Sequence, residues 1–210
     1  MIRAGILLSI GCLLFFLYPN IDLWFSSFFY KGTFFLKQAP LLQLIYKVTI
    51  YSIALFALGL LLLLVYTTIT KKELVKRSIL VYLLLTLVLG PGLIVNELLK
   101  NHMGRARPSQ ITNFGGTKTF TPALVPSNQC QKNCSFSSGH AAAAFYFVAL
   151  VPLVRRKLLA WILALSWGWI VGLTRIAQGG HFLSDVYCSM VIDILVAGIM
   201  YHLILERKAR

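Results

Sequence analysis

The sequence predicts an all-α integral membrane protein, a bundle of six transmembrane helices. Hydrophobic residues make up 58% of its 210 residues and charged residues only 12%, whereas soluble domains carry about 25% charged residues. The hydrophobic residues lie in six runs, with short basic clusters between them. We therefore expect one membrane-embedded domain over residues 1–210, and we exclude an intrinsically disordered chain because so apolar a chain cannot stay solvated.

The net charge of +14 reflects a shortage of acidic residues, six Asp and Glu against twenty Lys and Arg. These basic residues flank apolar runs, which argues against a soluble nucleic-acid-binding protein. Their position is typical of a membrane protein that lies against anionic lipid. The expected partner is therefore the membrane, with no nucleic acid.

A helix needs about 20 apolar residues to span a bilayer, with about 17 as the practical minimum. The first run, Ile2–Tyr18, is short; we interpret it as an uncleaved helix, with a signal peptide as the alternative, because no small-residue cleavage site follows it. The fourth and fifth runs, Ala141–Val154 and Leu158–Leu173, are also short, so we expect them to borrow flanking residues or lie in thinner membrane. The remaining runs are Leu44–Ile69, Ser78–Leu99 and Val186–Leu205.

Basic clusters predict the orientation of the helices. In a six-span arrangement all of them fall on one side, which they mark as cytoplasmic; they comprise Arg3, then Lys71, Lys72, Lys76 and Arg77, then Arg155, Arg156 and Lys157, and finally Arg207, Lys208 and Arg210. Loops one, three and five then face outward. Loop one, residues 19–43, is rich in aromatic residues, and we interpret it as an interfacial helix, with a wall beside a lateral path for lipid as the alternative.

The third loop carries two candidate functional segments. Lys100 and Arg107 are seven residues apart, so two helical turns place them on one face, although cations at a helix end also simply reach to the interface. Further on, Ser135–Gly139 precede an alanine run, which indicates a helix N-terminus with His140 in its first turn. Such an end is either an ordinary cap or a binding site for an oxyanion.

The fifth loop carries the third segment. His181 and Asp185 are spaced i and i+4, so they are neighbours on one helix face, and the carboxylate can fix the tautomer of the imidazole. Arg175 precedes these two residues in the sequence. The alternative to a functional role for the segment is a charged pair at the membrane boundary. Taken together, the three segments gather cations, a helix N-terminus, two histidines and an acid on one membrane face, which suits a phosphate dianion.

The spacings K-x6-R-P, S-G-H and R-x5-H-x3-D resemble those of the type 2 phosphatidic acid phosphatase superfamily. That family includes bacterial lipid phosphatases, some soluble acid phosphatases and vanadium haloperoxidases. The resemblance runs from Lys100 to Asp185, about 40% of the chain. Ser137 stands where the family commonly has proline and Thr174 where it has serine, and neither departure removes a reacting atom.

The resemblance implies a phosphatase that uses neither a metal nor another cofactor. His181 is then the nucleophile that forms a phosphohistidine, Asp185 orients it, and His140 is the general acid. The implied phosphate-binding residues are Lys100, Arg107, Ser138, Gly139 and Arg175. His102 and Arg105 are expected at the rim of the site at most.

The implied substrate is a membrane lipid with a phosphorylated head group, at the periplasmic face of a bacterial inner membrane. The loop over residues 114–122 and the Cys130–Cys134 segment look like those of lipid A phosphatase-type members, so lipid A is expected first. Undecaprenyl diphosphate, phosphatidylglycerol phosphate and phosphatidic acid stay open, as do phosphotransfer between lipids and non-enzymatic lipid binding or translocation. Lys118, Arg105 and Lys132 would suit a head group with several phosphates.

The cysteines and one intramembrane acid complete the sequence predictions. Cys130 and Cys134 lie on the outer side and are expected to form a disulfide in an oxidising periplasm. Cys12 and Cys188 are expected to be packing residues. Asp193 lies within the last apolar run, where a charge facing lipid is costly, so we expect it to point inward to a Tyr, Ser or backbone partner, with a role in the site as the alternative.

Overall fold

The computed structural model describes residues 1–206, and its regular secondary structure in that range is helical. The strand-like pairings there are two isolated bridges, Tyr30 with Phe34 and Ile111 with Lys118. The predicted all-α class is confirmed. The helices are α1 (Ile2–Leu17), α2 (Asn20–Ser27), α3 (Pro40–Thr70), α4 (Arg77–His102), α5 (Gly139–Leu153), α6 (Lys157–Ala177) and α7 (Leu183–Glu206).

Three of these helices change type along their length. In α4, the stretch Val88–Leu99 around Pro91 is widened to π-helical hydrogen bonding, as is common where a proline removes a backbone donor. The second half of α5, Tyr146–Leu153, tightens to a 3-10 helix, and α7 ends in a π-helical turn over His202–Glu206.

The chain is a multi-pass membrane protein, but the count of six independent spans is not confirmed. Four helices, α3, α4, α6 and α7, are long and apolar enough to cross a membrane, or five spans if α1 and α2, bent by 85°, count as one. All six predicted runs are nevertheless helical. Helix α5 is not among the candidate spans, because it is shorter than they are. It lies largely inside the bundle, where Ala141, Phe145, Tyr146 and Val148 are fully buried. Because protein rather than lipid surrounds α5, its length is not set by bilayer thickness.

Helix α1 packs closely against α7. A side chain at Gly5 would collide with Leu195, and one at Gly11 would collide with the Tyr187 hydroxyl. That hydroxyl donates a hydrogen bond to the Leu8 carbonyl at 3.0 Å. Small residues at helix contacts are the usual means of close approach in membranes. The opposite face of α1 is exposed and apolar, which suits lipid.

The basic clusters lie at one end of the bundle. Arg3, Lys157 and Glu206 line a common cavity of about 460 Å³. Lys76 lines a second cavity that shares Tyr201 with the first. The opposite end of the bundle holds the end of α4, the start of α5, the end of α6 and the start of α7. The one-sided arrangement therefore holds for these residues, whereas Arg207, Lys208 and Arg210 lie outside the described range.

Loop three closes the end of the bundle opposite the basic clusters. Its Ile111 and Phe114 form a buried cluster with Phe34 of loop one and Phe182. The predicted disulfide is confirmed, because Cys130 and Cys134 are bonded with their Cα atoms 5.6 Å apart.

Cys12 and Cys188 are free thiols in contact with each other, inside a small cluster with Phe15 and Phe136. The interpretation of these two cysteines as packing residues is therefore confirmed.

Candidate active site

The His181 ring is held at the turn between α6 and α7. Gly179 has a φ of +68°, a left-handed conformation that favours glycine, and it turns the chain after α6 ends. The ring is 1% exposed, and its Nδ1 lies 2.7 Å from the carbonyl oxygen of Ser135 and 3.7 Å from Asp185 Oδ2. Since a carbonyl only accepts, Nδ1 carries the proton and donates it, which leaves the lone pair on Nε2. The Ser135 carbonyl is therefore the nearer partner that fixes the tautomer.

Burial sets the protonation of this ring. Removal from solvent disfavours the imidazolium and lowers the pKa of His181 to about 4, although Asp185 acts in the opposite direction. At neutral pH the ring is therefore uncharged. A neutral imidazole with a free Nε2 lone pair is the form that can attack phosphorus.

The Asp185 carboxylate is bound on both oxygens. Oδ2 accepts from the Ser135 hydroxyl at 2.6 Å and from the Phe182 backbone N–H at 2.8 Å, which also caps the start of α7. Oδ1 accepts from Arg105 Nη1 at 2.6 Å. Ser135 thus contacts His181 through its carbonyl and Asp185 through its hydroxyl, and its own N–H donates to the Arg105 carbonyl at 2.8 Å.

The expectation that Arg105 lies at the rim of the site is wrong. Its side chain is 1% exposed and also pairs with Asp22 of α2, Nη2 to Oδ2 at 2.8 Å. A lone arginine in a polar loop looks exposed in the sequence. Here two carboxylates from distant segments offset its desolvation, and although burial itself acts against the charge, Asp185 and Asp22 raise the pKa of Arg105.

The cations that the motifs predicted converge around His140. Lys100, Arg107 and Arg175 all interact electrostatically with this ring, as does His181. The ring of Tyr46, from α3, stacks on His140 with centroids 4.2 Å apart, and the Arg175 guanidinium carbon lies 4.8 Å from the same tyrosine. The structure thus brings the ends of α4 and α6 and the start of α5 around one point.

Two nitrogens in this group are buried without a hydrogen-bond partner among residues 1–206: His140 Nε2 and Arg175 Nε. Arg175 Nη1 donates to the Gln178 side chain, and Arg107 Nη2 donates to the Asn133 carbonyl at 2.9 Å. A buried donor without a partner is costly, so these groups are suited to an anionic ligand.

The start of α5 supplies neutral donors. Ser138 is its N-cap, and its hydroxyl oxygen accepts from the Ala141 N–H at 3.4 Å, which leaves the hydroxyl hydrogen free to donate elsewhere. A side chain at Gly139 would collide with the Asn96 amide. Glycine is therefore required by the close approach of α4.

An open cavity of about 540 Å³ lies at this end of the bundle. Its charged lining residues are all cationic: Lys37, Arg107, Lys132 and Arg175. Of the other predicted residues, Lys118 donates to the Gln129 carbonyl, and His102 is exposed with Nδ1 bonded to the Leu98 carbonyl at 2.8 Å. Neither of these two lines the cavity.

Sequence reasoning missed Asp22, Lys37 and Tyr46, and it gave Ser135 no contact with His181 or Asp185. Asp22 carried a usable signal, because it is one of only six acidic residues and lies in a loop dominated by aromatics. That loop does form a short helix, α2, and Trp24 within it and Phe28 directly after it are exposed, which agrees with an interfacial helix. None of the aromatics of loop one is among the lining residues of the cavity.

Asp193 does not have the predicted polar contact. It is 1% exposed, and both of its carboxylate oxygens lack a hydrogen-bond partner in the described range. One oxygen lies against Gly90, in the widened part of α4. Asp193 follows Asp185 by eight residues, about 12 Å along the helix, and so lies away from the site.

Comparison with known proteins defines the class. The sequence profile of the PAP2 superfamily matches residues 78–209. Over 215 aligned residues, 99% of this chain and 97% of the relative, the chain is 34% identical to a lipid A 4'-phosphatase of Francisella tularensis subsp. novicida. The fold, the site and these similarities define a membrane-embedded lipid phosphatase. The chain belongs to the PAP2 superfamily.

Two further relatives align over about half of the chain. A lipid A 4'-phosphatase of Rhizobium leguminosarum is 40% identical over 53% of this chain and 48% of its own length. A lipid A 1-phosphatase of Rhizobium etli is 36% identical over 51% of this chain and 43% of its own length. No solved structure matches the chain significantly.

Proposed function

We propose that this protein removes the 4'-phosphate of lipid A, at the periplasmic face of a bacterial inner membrane, through a phosphohistidine on His181. The observation that carries the chemistry is the buried, neutral His181 ring, whose Nδ1 donates to Ser135 and whose Nε2 keeps its lone pair. The near full-length similarity to a lipid A 4'-phosphatase supports the substrate.

In the proposed reaction, His181 Nε2 attacks phosphorus in line with the bond to the sugar oxygen. Burial and the surrounding cations disfavour the protonated His140 ring, so the bound phosphate dianion first offsets these cations and lets the unpartnered Nε2 hold a proton. His140 then gives this proton to the sugar oxygen as it leaves. Water then attacks the phosphohistidine, with His140 now accepting the proton, and releases inorganic phosphate. Asp185 orients His181 and offsets the positive charge that its ring acquires.

The charge of the transferred phosphoryl group is offset by the cations Lys100, Arg107 and Arg175. The Ser138 hydroxyl and the Gly139 N–H add neutral donors at the start of α5, where the helix dipole also favours an anion. Three cations in a partly buried site can supply the electrostatic stabilisation that the transition state needs. No metal has a role in this reaction.

The 4' position is favoured over the 1 position by the extent of similarity. The alignment with the Francisella 4'-phosphatase covers nearly the whole chain. At a coverage of about half the chain, the Rhizobium leguminosarum 4'-phosphatase is 40% identical and the Rhizobium etli 1-phosphatase 36%. Lys37 and Lys132 line the same cavity as Arg107 and Arg175 and suit the second anionic group of a bisphosphorylated head group.

Phosphate release from a lipid panel in detergent tests the proposal. We expect lipid A to lose its 4'-phosphate, located by mass spectrometry of the sugar fragments, faster than the other three candidate lipids lose phosphate. His181→Ala should abolish release, while Asp193→Asn, a change to a buried acid outside the site, should retain it. Faster release from undecaprenyl diphosphate, phosphatidylglycerol phosphate or phosphatidic acid would contradict the substrate, and activity in His181→Ala would contradict the chemistry.

A further inference from the structure

We propose that Arg105 and Asp22 are positioning residues for His181 that act through Asp185. The inference rests on the proposed chemistry at His181 but not on the identity of the lipid. It assigns a function to α2, whose Asp22 is 83 residues from Arg105 in the sequence and in direct contact with it.

The Arg105 guanidinium makes four hydrogen bonds to protein groups, one of them the Asp22 contact. Nη1 donates to Asp185 and, at 2.9 Å, to the Ser184 hydroxyl, while Nε donates to the Thr121 carbonyl at 2.8 Å. Its carbon atom lies 4.3 Å from the centre of the Phe182 ring, which covers one face. A guanidinium in this environment is directed at the carboxylates and not at substrate phosphate, unlike Arg107 and Arg175.

This arrangement fixes the Asp185 carboxylate on both sides. Arg105 holds Oδ1, and Ser135 and the Phe182 N–H hold Oδ2, the oxygen nearest His181. Because a planar guanidinium bound at several atoms resists rotation, it holds the carboxylate at a fixed angle to the imidazole. A lysine would keep the charge and lose this geometry.

Asp22 fixes Arg105 in turn and sets the charge of the cluster. Its Oδ2 accepts from Arg105, and its Oδ1 accepts from the Ser184 N–H at 2.9 Å. Two carboxylates and one guanidinium carry a formal charge of −1, and all three side chains are buried. Lys100 and Arg175 act against positive charge on His181. The net negative cluster offsets them when the ring becomes a phosphohistidine cation.

Asp22→Asn tests the charge role, with Asp193→Asn as the matched control. The amide that replaces the carboxylate cannot carry the charge, so we expect kcat to fall by about tenfold to hundredfold. This is the range found when the hydrogen-bond partner of a metal-binding histidine is removed. KM should change less than twofold, because the phosphate-binding cations are untouched. The rate of phosphohistidine formation, measured by rapid quench with labelled substrate, should fall by the same factor as kcat, and Asp193→Asn should keep the wild-type rate.

Arg105→Lys, Arg105→Gln and the double variant Asp22→Asn/Arg105→Gln separate positioning from folding. Arg105→Gln leaves two buried carboxylates unpaired and should lower the melting temperature most, whereas the double variant restores the formal charge of −1 and should recover much of the thermal stability. If Arg105 positions Asp185 and His181, kcat in the double variant stays at least tenfold below wild type. Arg105→Lys then has more activity than Arg105→Gln but less than wild type.

The outcomes that overturn the inference are distinct from those that overturn the proposed chemistry. Wild-type kcat in Asp22→Asn, or wild-type kcat in the double variant, would show that the pair serves the fold alone. If those variants are active and His181→Ala is inactive, the inference fails by itself. If His181→Ala is active, the nucleophile is misassigned and the inference falls with it.

Discussion

His140 stacks on Tyr46, with ring centroids 4.2 Å apart and planes inclined by 25°. The same tyrosine lies beside the Arg175 guanidinium, 4.8 Å from its carbon atom to the ring centroid. One aromatic side chain from α3 therefore contacts both the proposed general acid and a proposed phosphate-binding cation. The three sequence motifs do not include it.

Replacing Tyr46 tests whether this stacking positions the two groups. Tyr46→Ala should lower kcat/KM by about tenfold, since stacking and cation–π contacts of this kind contribute about 0.5–2 kcal/mol. Tyr46→Phe keeps the ring and should stay close to wild type. Steady-state kinetics with one lipid substrate measures both, and an equal loss in the two variants would assign the effect to the hydroxyl group instead.

The nucleophile and its orienting acid make a second prediction. His181→Ala should remove turnover and leave no labelled phosphoenzyme, because the covalent intermediate has no other attacking group. Asp185→Asn should lower kcat strongly, because the amide loses the bond to Arg105 and cannot offset the positive charge of the phosphohistidine. Circular dichroism in detergent checks that both variants stay helical, and a few per cent of wild-type activity in His181→Ala would argue against the covalent mechanism.

The buried ring of His181 predicts a loss of stability at acid pH. Its pKa is about 4 in the folded protein and about 6.5 in an unfolded chain. Below pH 6.5 the unfolded chain binds a proton that the folded protein does not, so the free energy of unfolding falls as the pH drops towards 4. Between pH 7 and pH 5 this group alone should account for a loss of about 2 kcal/mol.

Denaturant unfolding of wild type and His181→Asn at the two pH values measures this contribution. The asparagine has no proton to gain, so the variant should lose less stability than wild type on acidification. Equal losses in the two proteins would show that the folded ring titrates near its ordinary value.

The disulfide loop gives a fourth prediction. Thiol labelling of the unreduced, denatured protein from its native compartment should modify Cys12 and Cys188 only. Asn133, inside the loop, accepts from Arg107 through its carbonyl. Cys130→Ser/Cys134→Ser should therefore raise KM a few-fold with little change in kcat. Labelling of four thiols in the wild type would contradict the bond and the outward placement of loop three.

Metal independence is the fifth prediction. Among residues 1–206 no group of three or more His, Cys, Asp and Glu side chains is placed to hold a metal ion. Because Lys100, Arg107 and Arg175 offset the phosphate charge in the proposed reaction, activity should be unchanged in EDTA, and vanadate should inhibit by occupying the cationic cluster. Loss of activity in EDTA with recovery on addition of Mg²⁺ would point to a different chemistry.

Much of the fold was predictable because its signals are local. Each apolar run is a continuous stretch, and each is helical in the structure. The count of spans was less predictable, since α5 has an apolar composition like a lipid-facing helix. Only its position inside the bundle distinguishes it. Asp193 is buried, as predicted, but its polar partner was mispredicted for a related reason, because the sequence shows an acid in an apolar run but not which groups surround it.

The sequence alone determined the all-helical membrane class and the three motifs, because hydropathy and motif spacing are properties of short segments. Only the tertiary structure decided what Arg105 and Asp22 contact. Arg105 pairs with Asp185 and Asp22, which are 80 and 83 residues away. A buried charge is stable only when its partners are in place, and those partners come from α2 and α7 once the chain has folded.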